Sequence, residues 1–209
     1  TVYLKDRSPR TITSTAATCG VNQIVSVPLL ANSVCRSLKA EVERKGAFGR
    51  AAFNAMTGIS IAAQRIAPQA GFKLACSMFK PVREKIFGNE LKSILLGGSH
   101  TDSGSLRLLN AIGYYTVCGF GMTETAITGF ETSMTLEHSL SGCIGLPMDF
   151  TEYSIRPVPE AGNGADGELL VRGKGLHDGR FVNGRLLPPD VDKDGWFSTG
   201  DIVRRDASS

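Results

Sequence analysis

At 209 residues, with 42% apolar residues, 21% charged residues and a net charge of +3, the sequence can build one large globular domain or two small ones. The charge singles out no polyanionic partner, and no apolar run reaches the 18 or so residues of a membrane-spanning helix. Five cysteines without a Cys-x-x-Cys pair fit buried thiols in a reducing, cytoplasmic setting rather than a disulfide framework.

Residues 1–4 read as a strand. They include neither an initiator methionine nor the basic-then-apolar pattern of a signal peptide, so the chain is expected to be a piece of a longer protein. Ser8-Pro9 starts a helix, a capping hydroxyl followed by proline at the first helical position, which runs to Gly20. Residues 22–27 are a strand, and Pro28 opens a helix to about Lys45, stopped by Gly46. Strands alternating with helices predict a parallel sheet with crossover helices. Residues 47–88 break that rhythm. Phe48, Ala52, Ala55, Ile59, Ala62 and Ile66 step by four and three, as one apolar helix face does. Residues 68–71 turn the chain, and Phe72, Ala75, Phe79, Val82 and Ile86 form a second stripe, kinked at Pro81. Between residues 36 and 85, ten Lys or Arg stand against three Glu. This helical hairpin is either a solvated face over an ordinary core stripe or a basic, apolar element. The latter would contact a membrane surface peripherally or form the mouth of an acyl tunnel.

After Gly88 the alternation resumes. A strand over 91–96 ends in Gly97-Gly98-Ser99, Asp102 or Ser103 caps a helix striped with Leu106, Leu109 and Ile112, and Gly113 ends it. Tyr114-Tyr115-Thr116-Val117 is a short buried strand that breaks into glycines at 119 and 121. Strand tips of neighbouring units thus fall side by side, where open α/β sheets place their ligands. Near Gly142 the texture changes to short strands over 153–158, 168–172 and 179–183. Turn dipeptides stand at Asn163-Gly164, Asp166-Gly167 and Asn183-Gly184. The expected fold class is therefore α/β. Residues 1–139 form a parallel-sheet subdomain with a helical hairpin insertion, and residues 140–209 a small β-rich, barrel-like subdomain.

Chemistry concentrates in Cys118-Gly119-Phe120-Gly121-Met122-Thr123-Glu124-Thr125. The glycines let backbone approach a ligand closely. Phe120 can stack on a base, Thr123 can donate to a phosphate oxygen, and Glu124 is a hard oxygen ligand suited to Mg²⁺. Alone, the stretch reads first as an ordinary turn, and it is no dinucleotide fingerprint, because Glu124 stands where a third glycine would. Three other stretches give it context: Gly97-Gly98-Ser99, Gly167-Glu168-Leu169-Leu170-Val171-Arg172-Gly173, and Asp194-Gly195-Trp196-Phe197-Ser198-Thr199-Gly200-Asp201. In this order and spacing the four resemble the adenylate-forming superfamily of acyl-CoA synthetases, peptide-synthetase adenylation domains and luciferases. Val27-Pro28-Leu29-Leu30 and Val82-Arg83-Glu84-Lys85-Ile86-Phe87-Gly88 are similar to its long-chain acyl-CoA synthetase branch.

The resemblance implies a fragment of the large N-terminal domain of a fatty acid–CoA ligase that uses ATP, Mg²⁺ and coenzyme A. Such a ligase joins a carboxylate to AMP and passes the acyl group to the thiol. It implies that Gly97, Gly98 and Ser99 form the wall for adenine. Phe120, where tyrosine is commoner, would stack beside Gly121. Thr123 would contact the α-phosphate, Glu124 would hold Mg²⁺, and Asp201 would accept both ribose hydroxyls. Thr123 and Glu124 are then the catalytic pair, and Glu168 and Arg172 are structural. The family's phosphate loop ending in lysine and its lysine-bearing C-terminal domain have no match in these residues, so the fragment alone is expected to be inactive. Met122, and Trp196-Phe197, favour a CoA ligase over a peptide-synthetase adenylation domain. A non-catalytic nucleotide-binding or interaction module is the second class of reading, and no nucleic-acid partner is expected. Asp190, Asp192, Asp194, Gly195 and Asp201 also fall at calcium-loop positions. Pro188-Pro189 and the final Asp in place of Glu argue against that. His100 is a strand-tip hydrogen bonder; His138 and His177 read as surface residues.

Overall fold

The computed structural model describes residues 2–4, 6, 8–133, 135–159 and 166–206. The chain divides into two compact units, residues 1–118 with 131–143 and residues 119–130 with 144–209. Residues 119–130, kept with the α/β part in the sequence reading, thus cluster with the β-rich unit.

In the first unit, residues 2–4 lie exposed and outside any strand, and Thr1 is outside the described residues. An extended run becomes a strand only by pairing. Helix α1 (Pro9–Thr18) begins as expected, the Ser8 hydroxyl accepting the Thr11 N–H at 3.2 Å. After β1 (Gln23–Ser26), α2 (Pro28–Arg44) buries Leu30, Ala31, Val34, Cys35, Leu38 and Val42, in steps of one, three and four that mark one helix face. Gly46 at φ +75° ends α2 and at once begins α3 (Gly46–Ile66).

The apolar stripe expected on α3 is exposed along its whole length, with Phe48 at 87%. Ser60, Ile61 and Gln64 are buried instead. Phe53 and Met56 of the same helix pack on the main core, the Ser60 hydroxyl donates to the Ala111 carbonyl at 2.6 Å and the Gln64 amide to the Asn110 carbonyl at 3.1 Å. Buried carbonyls at a helix end need such donors. Helix α4 (Pro68–Met78) meets α3 at Gly71, and α5 (Lys80–Ile86) follows a break at Phe79, with Pro81 in its first turn. The second stripe faces inward as expected, with Ala75 and Phe79 fully buried. Arg83, counted with the solvated basic residues, is only 2% exposed. Its guanidinium lies 4.2 Å from the Tyr114 ring centroid and donates to the carbonyls of Asn89, Leu91, Ile112 and Gly113. A buried guanidinium is tolerated only when its donors are met in this way.

Strand β2 (Ser93–Leu96) lies between β1 and β3 (Tyr115–Met122) in parallel register, with Leu96 opposite Cys118. Helix α6 (Ser103–Ala111) is capped by Asp102, whose carboxylate accepts the Ser105 N–H at 2.8 Å. The main core gathers Ile94, Leu96, Leu106, Leu109, Phe79 and Phe87 with the buried face of α2. Helix α7 (Leu136–Ser141) ends at Gly142, φ +75°.

In the second unit, β3 does not stop at its glycines. Its last residues pair antiparallel with β4 (Ala126–Phe130), with a bulge at Phe120/Gly121. The β-rich part comprises β5 (Thr151–Pro157), β6 (Gly167–Gly173), a ribbon of β7 (Arg180–Val182) and β8 (Arg185–Leu187), and β9 (Phe197–Val203). Among the described residues, β5-β6-β9 is an open antiparallel sheet, and the ribbon turns at Asn183-Gly184 with both φ positive, as expected. The turn expected at Asn163-Gly164 lies outside the described residues. No described helix is long and apolar enough to cross a membrane.

Candidate functional site

Gly97 and Gly98 belong to the first unit. Where β2 ends, the Gly97 N–H donates to the Ser26 carbonyl at 3.1 Å, and Gly98 takes φ +89°. A Cβ built on Gly98 would meet nothing closer than Val27 Cγ1 at 4.0 Å, so this backbone is bare. Gly98, Ser99 and His100 are exposed. Along the neighbouring strand, Cys118 is Leu96's register partner, and Phe120 follows two residues later.

The remaining candidates belong to the second unit, on two turns. Thr123, Glu124 and Thr125 are the tip of the β3–β4 hairpin. Thr125 is fully buried and locks it: its hydroxyl accepts the Met122 N–H and donates to the Ala126 carbonyl, while Ala126 sits at φ +56°. The Glu124 carbonyl accepts the His177 N–H at 2.8 Å. Further along, the Thr128 hydroxyl is 2.8 Å from the Tyr153 hydroxyl on β5. The backbone of the tip is held; the Thr123 hydroxyl and Glu124 carboxylate have no hydrogen-bond or ion-pair partner among the described residues. Gly121 is different from the open glycine expected. Its missing side chain is occupied by the returning strand, since a Cβ would lie 2.5 Å from the Ala126 carbonyl oxygen.

The second turn is a bulge. Glu168 pairs with Ile202 and Leu170 with Ser198, so Thr199, Gly200 and Asp201 all stand opposite Leu169. Such extra residues re-aim side chains. The Thr199 hydroxyl donates to the Leu169 carbonyl at 2.7 Å and accepts the Asp201 N–H at 3.1 Å. Glu168 clamps the other side, accepting the Gly200 N–H at 3.0 Å, the Ser198 hydroxyl and the Arg156 guanidinium. The Ser198 and Arg156 bonds hold its carboxyl below the usual carboxylate range. Asp201 is exposed, and its carboxylate has no partner among the described residues. Arg172 is structural as expected, bonded to Glu152 and lying 4.5 Å from the Trp196 ring centroid. Asp192, the third position of the calcium-loop pattern, is used by its own turn, accepting the Asp194 and Trp196 N–H groups at 2.9 Å.

Thr125 and the clamping of the bulge by Glu168 were missed in the sequence. A threonine after Thr-Glu carries no signal of burial, whereas the glutamate three residues from Val171 on an alternating strand could have been paired with the later Thr-Gly-Asp.

The first of these two turns, with its held backbone and uncommitted oxygens, falls within a family match; the second, at residues 199–201, follows the matched stretch. The profile described as "AMP-binding enzyme" matches residues 1–179. The chain belongs to that family. It is 30% identical over 130 residues to long chain acyl-CoA synthetase 1 of Arabidopsis thaliana, covering 59% of this chain and 19% of that one. It is 28% identical over 187 residues to a palmitoyl-CoA ligase of Gibberella moniliformis, covering 86% of this chain and 27% of that one. The chain thus spans about a fifth to a quarter of the length of these two relatives. Among solved structures it is similar to the adenylation domain of a carboxylate reductase from Mycobacterium chelonae. The TM-score is 0.64 at 18% identity, over 96% of this chain and 28% of that one. The fold is that of a fragment of an adenylate-forming enzyme of the AMP-binding family, as expected.

Proposed function

We propose that the protein carrying this chain is an ATP-dependent acid–CoA ligase acting on a fatty acid. The observation that carries the reading is the pair of braced turns, one presenting Thr123 and Glu124 and the other Asp201, each with its backbone bonded and its side-chain oxygens uncommitted. An acceptor-only carboxylate at Asp201 suits the two donor hydroxyls of ribose. The Phe120 ring suits stacking on a base, and the bare backbone at Gly98 suits close approach by a ligand. Thr123 donates to the α-phosphate. Glu124 fits Mg²⁺, which takes one or two carboxylates beside waters and substrate phosphates. When bound, the ion supplies positive charge where negative charge develops on phosphorus. The carboxylate of the acid then attacks the α-phosphorus, pyrophosphate leaves with the bond's electrons, and the coenzyme A thiol displaces AMP. In the first unit a cleft of about 900 Å³ lined by Pro68, Phe72, Tyr115 and Leu136 favours an apolar chain as the acid. Peripheral membrane contact through residues 47–88 is supported by the exposed apolar face of α3.

The test is fatty-acid-dependent ATP–pyrophosphate exchange by the full-length protein. Exchange is expected with long-chain acids, and Glu124→Gln should raise the Mg²⁺ concentration needed for half-maximal rate. An unchanged Mg²⁺ titration removes Glu124 as the ligand; absence of exchange with every acid tested removes the ligase.

A further inference from the structure

Just after the Cys118–Thr125 motif along the chain, the first unit gathers three side chains of metal-ligand type. Glu131, His138 and Cys143 each offer one ligand atom, and these atoms all lie within 4.8 Å of one another. Local structure assembles them. The Glu131 N–H donates to the Cys118 carbonyl at 3.0 Å, fixing one end of the segment to β3. Helix α7 carries His138, and the left-handed Gly142 reverses the chain so that the Cys143 N–H donates to the His138 carbonyl at 3.0 Å. The Glu131 carboxylate is buried, with its side chain 3% exposed, and faces His138 Nδ1 at 3.2 Å. The Cys143 thiol hydrogen-bonds the same carboxylate. Ser133 completes the group: its N–H meets Glu131 Oε1 at 2.5 Å and its hydroxyl lies 3.0 Å from His138 Nδ1. His138, expected at the surface, is therefore half-buried and engaged.

We propose that Glu131, His138 and Cys143 form a zinc-type divalent metal site that ties the 131–143 segment into one piece. One oxygen, one nitrogen and one sulfur is a donor set that zinc accepts, with water or the Ser133 hydroxyl in the fourth position. Two ligands at 2.0–2.1 Å from a tetrahedral ion stand about 3.3 Å apart, close to the 3.2 Å between Oε2 and Nδ1. The Glu131–His138 pair thus stands near ligand spacing before any metal enters, with the Cys143 sulfur within 4.8 Å of both. On binding, the Cys143 S–H bond breaks, the sulfur's electron pair goes to the metal, and one proton passes to solvent; His138 binds as the neutral imidazole.

The experiment titrates the metal-free full chain with Co²⁺ as a spectroscopic stand-in and with Zn²⁺ in thermal denaturation. One cobalt per chain is expected, with a thiolate-to-cobalt charge-transfer band. A melting point raised by about 5–10 °C is expected at zinc a hundredfold above its Kd. Cys143→Ser should lose the band while keeping its melting point in EDTA, since serine can still donate to Glu131. Should that variant not fold, wild-type alkylation decides, with zinc slowing modification of Cys143 but not of exposed Cys19. A wild-type protein with no cobalt band, a band that survives Cys143→Ser, or equal alkylation of Cys143 with and without zinc would overturn the site and leave a hydrogen-bonded clip.

Discussion

Gly98 and Gly121 both stand in glycine-bearing motifs at strand ends, yet the molecule uses them oppositely. At Gly98 the space of the missing side chain is empty, and the backbone takes φ +89°, which an L-residue adopts only with strain. At Gly121 the space is filled by β4 passing within 2.5 Å of where a Cβ would stand. The first glycine keeps backbone available to something outside the chain; the second lets the chain approach itself. Gly200 belongs with Gly98, at φ +77° with nothing within 4 Å of its Cβ position, and Gly71 belongs with Gly121. A motif glycine with open side-chain space leaves its backbone accessible, whereas one whose space is filled serves packing.

Substitution by alanine separates the two kinds. The largest effect is expected at Gly71, where a Cβ would lie 2.3 Å from the Gln64 nitrogen. Alanine there forces α3 off α4 and strains the Ser60 and Gln64 bonds. Overpacking of this kind costs about 3 kcal/mol, seen as a lower denaturation midpoint at unchanged m-value. Gly121→Ala comes next, at about 2 kcal/mol from the clash with β4, with adenylation lost as the Thr123–Glu124 tip moves. An unchanged stability in either variant would break the distinction.

Gly98→Ala should cost only about 1 kcal/mol, the strain of a left-handed alanine, yet weaken ATP binding in an equilibrium assay on the full-length protein. Normal ATP affinity would show that the open space is not the adenine wall. The smallest effect is expected at Glu168, whose folded-state carboxyl is held low by Ser198, Arg156 and the Gly200 N–H. A depressed pKa gives stability that is present above the unfolded value near pH 4.3 and is lost as pH falls through the folded value. The stability gap between wild type and Glu168→Gln should therefore be constant at neutral pH and close below about pH 4. A gap independent of pH would remove the carboxylate from the bracing of the bulge.

Much of the fold follows from local rules. The Ser8 and Asp102 caps, the breaks around Gly46 and Phe79 and the Asn183-Gly184 turn each depend on a few neighbouring residues. Those residues set φ, ψ or a capping bond within one turn of chain. The order of the motifs was likewise enough to place the chain in the AMP-binding family.

Tertiary structure decided which faces and which glycines matter. The apolar periodicity of α3 pointed to the wrong side: Phe53, Met56 and Ile61 pack inward instead, beside Ser60 and Gln64, which supply donors to the carbonyls of Ala111 and Asn110. Arg83 reads as surface charge until the carbonyls of residues 89, 91, 112 and 113 converge on it. The meeting of Glu131, His138 and Cys143 depends on a left-handed glycine and a bond to β3. Periodicity reports how a segment would bury itself against a featureless apolar neighbour. Hydrogen-bond demand and backbone proximity come from partners distant in the chain, so only the assembled molecule reveals them.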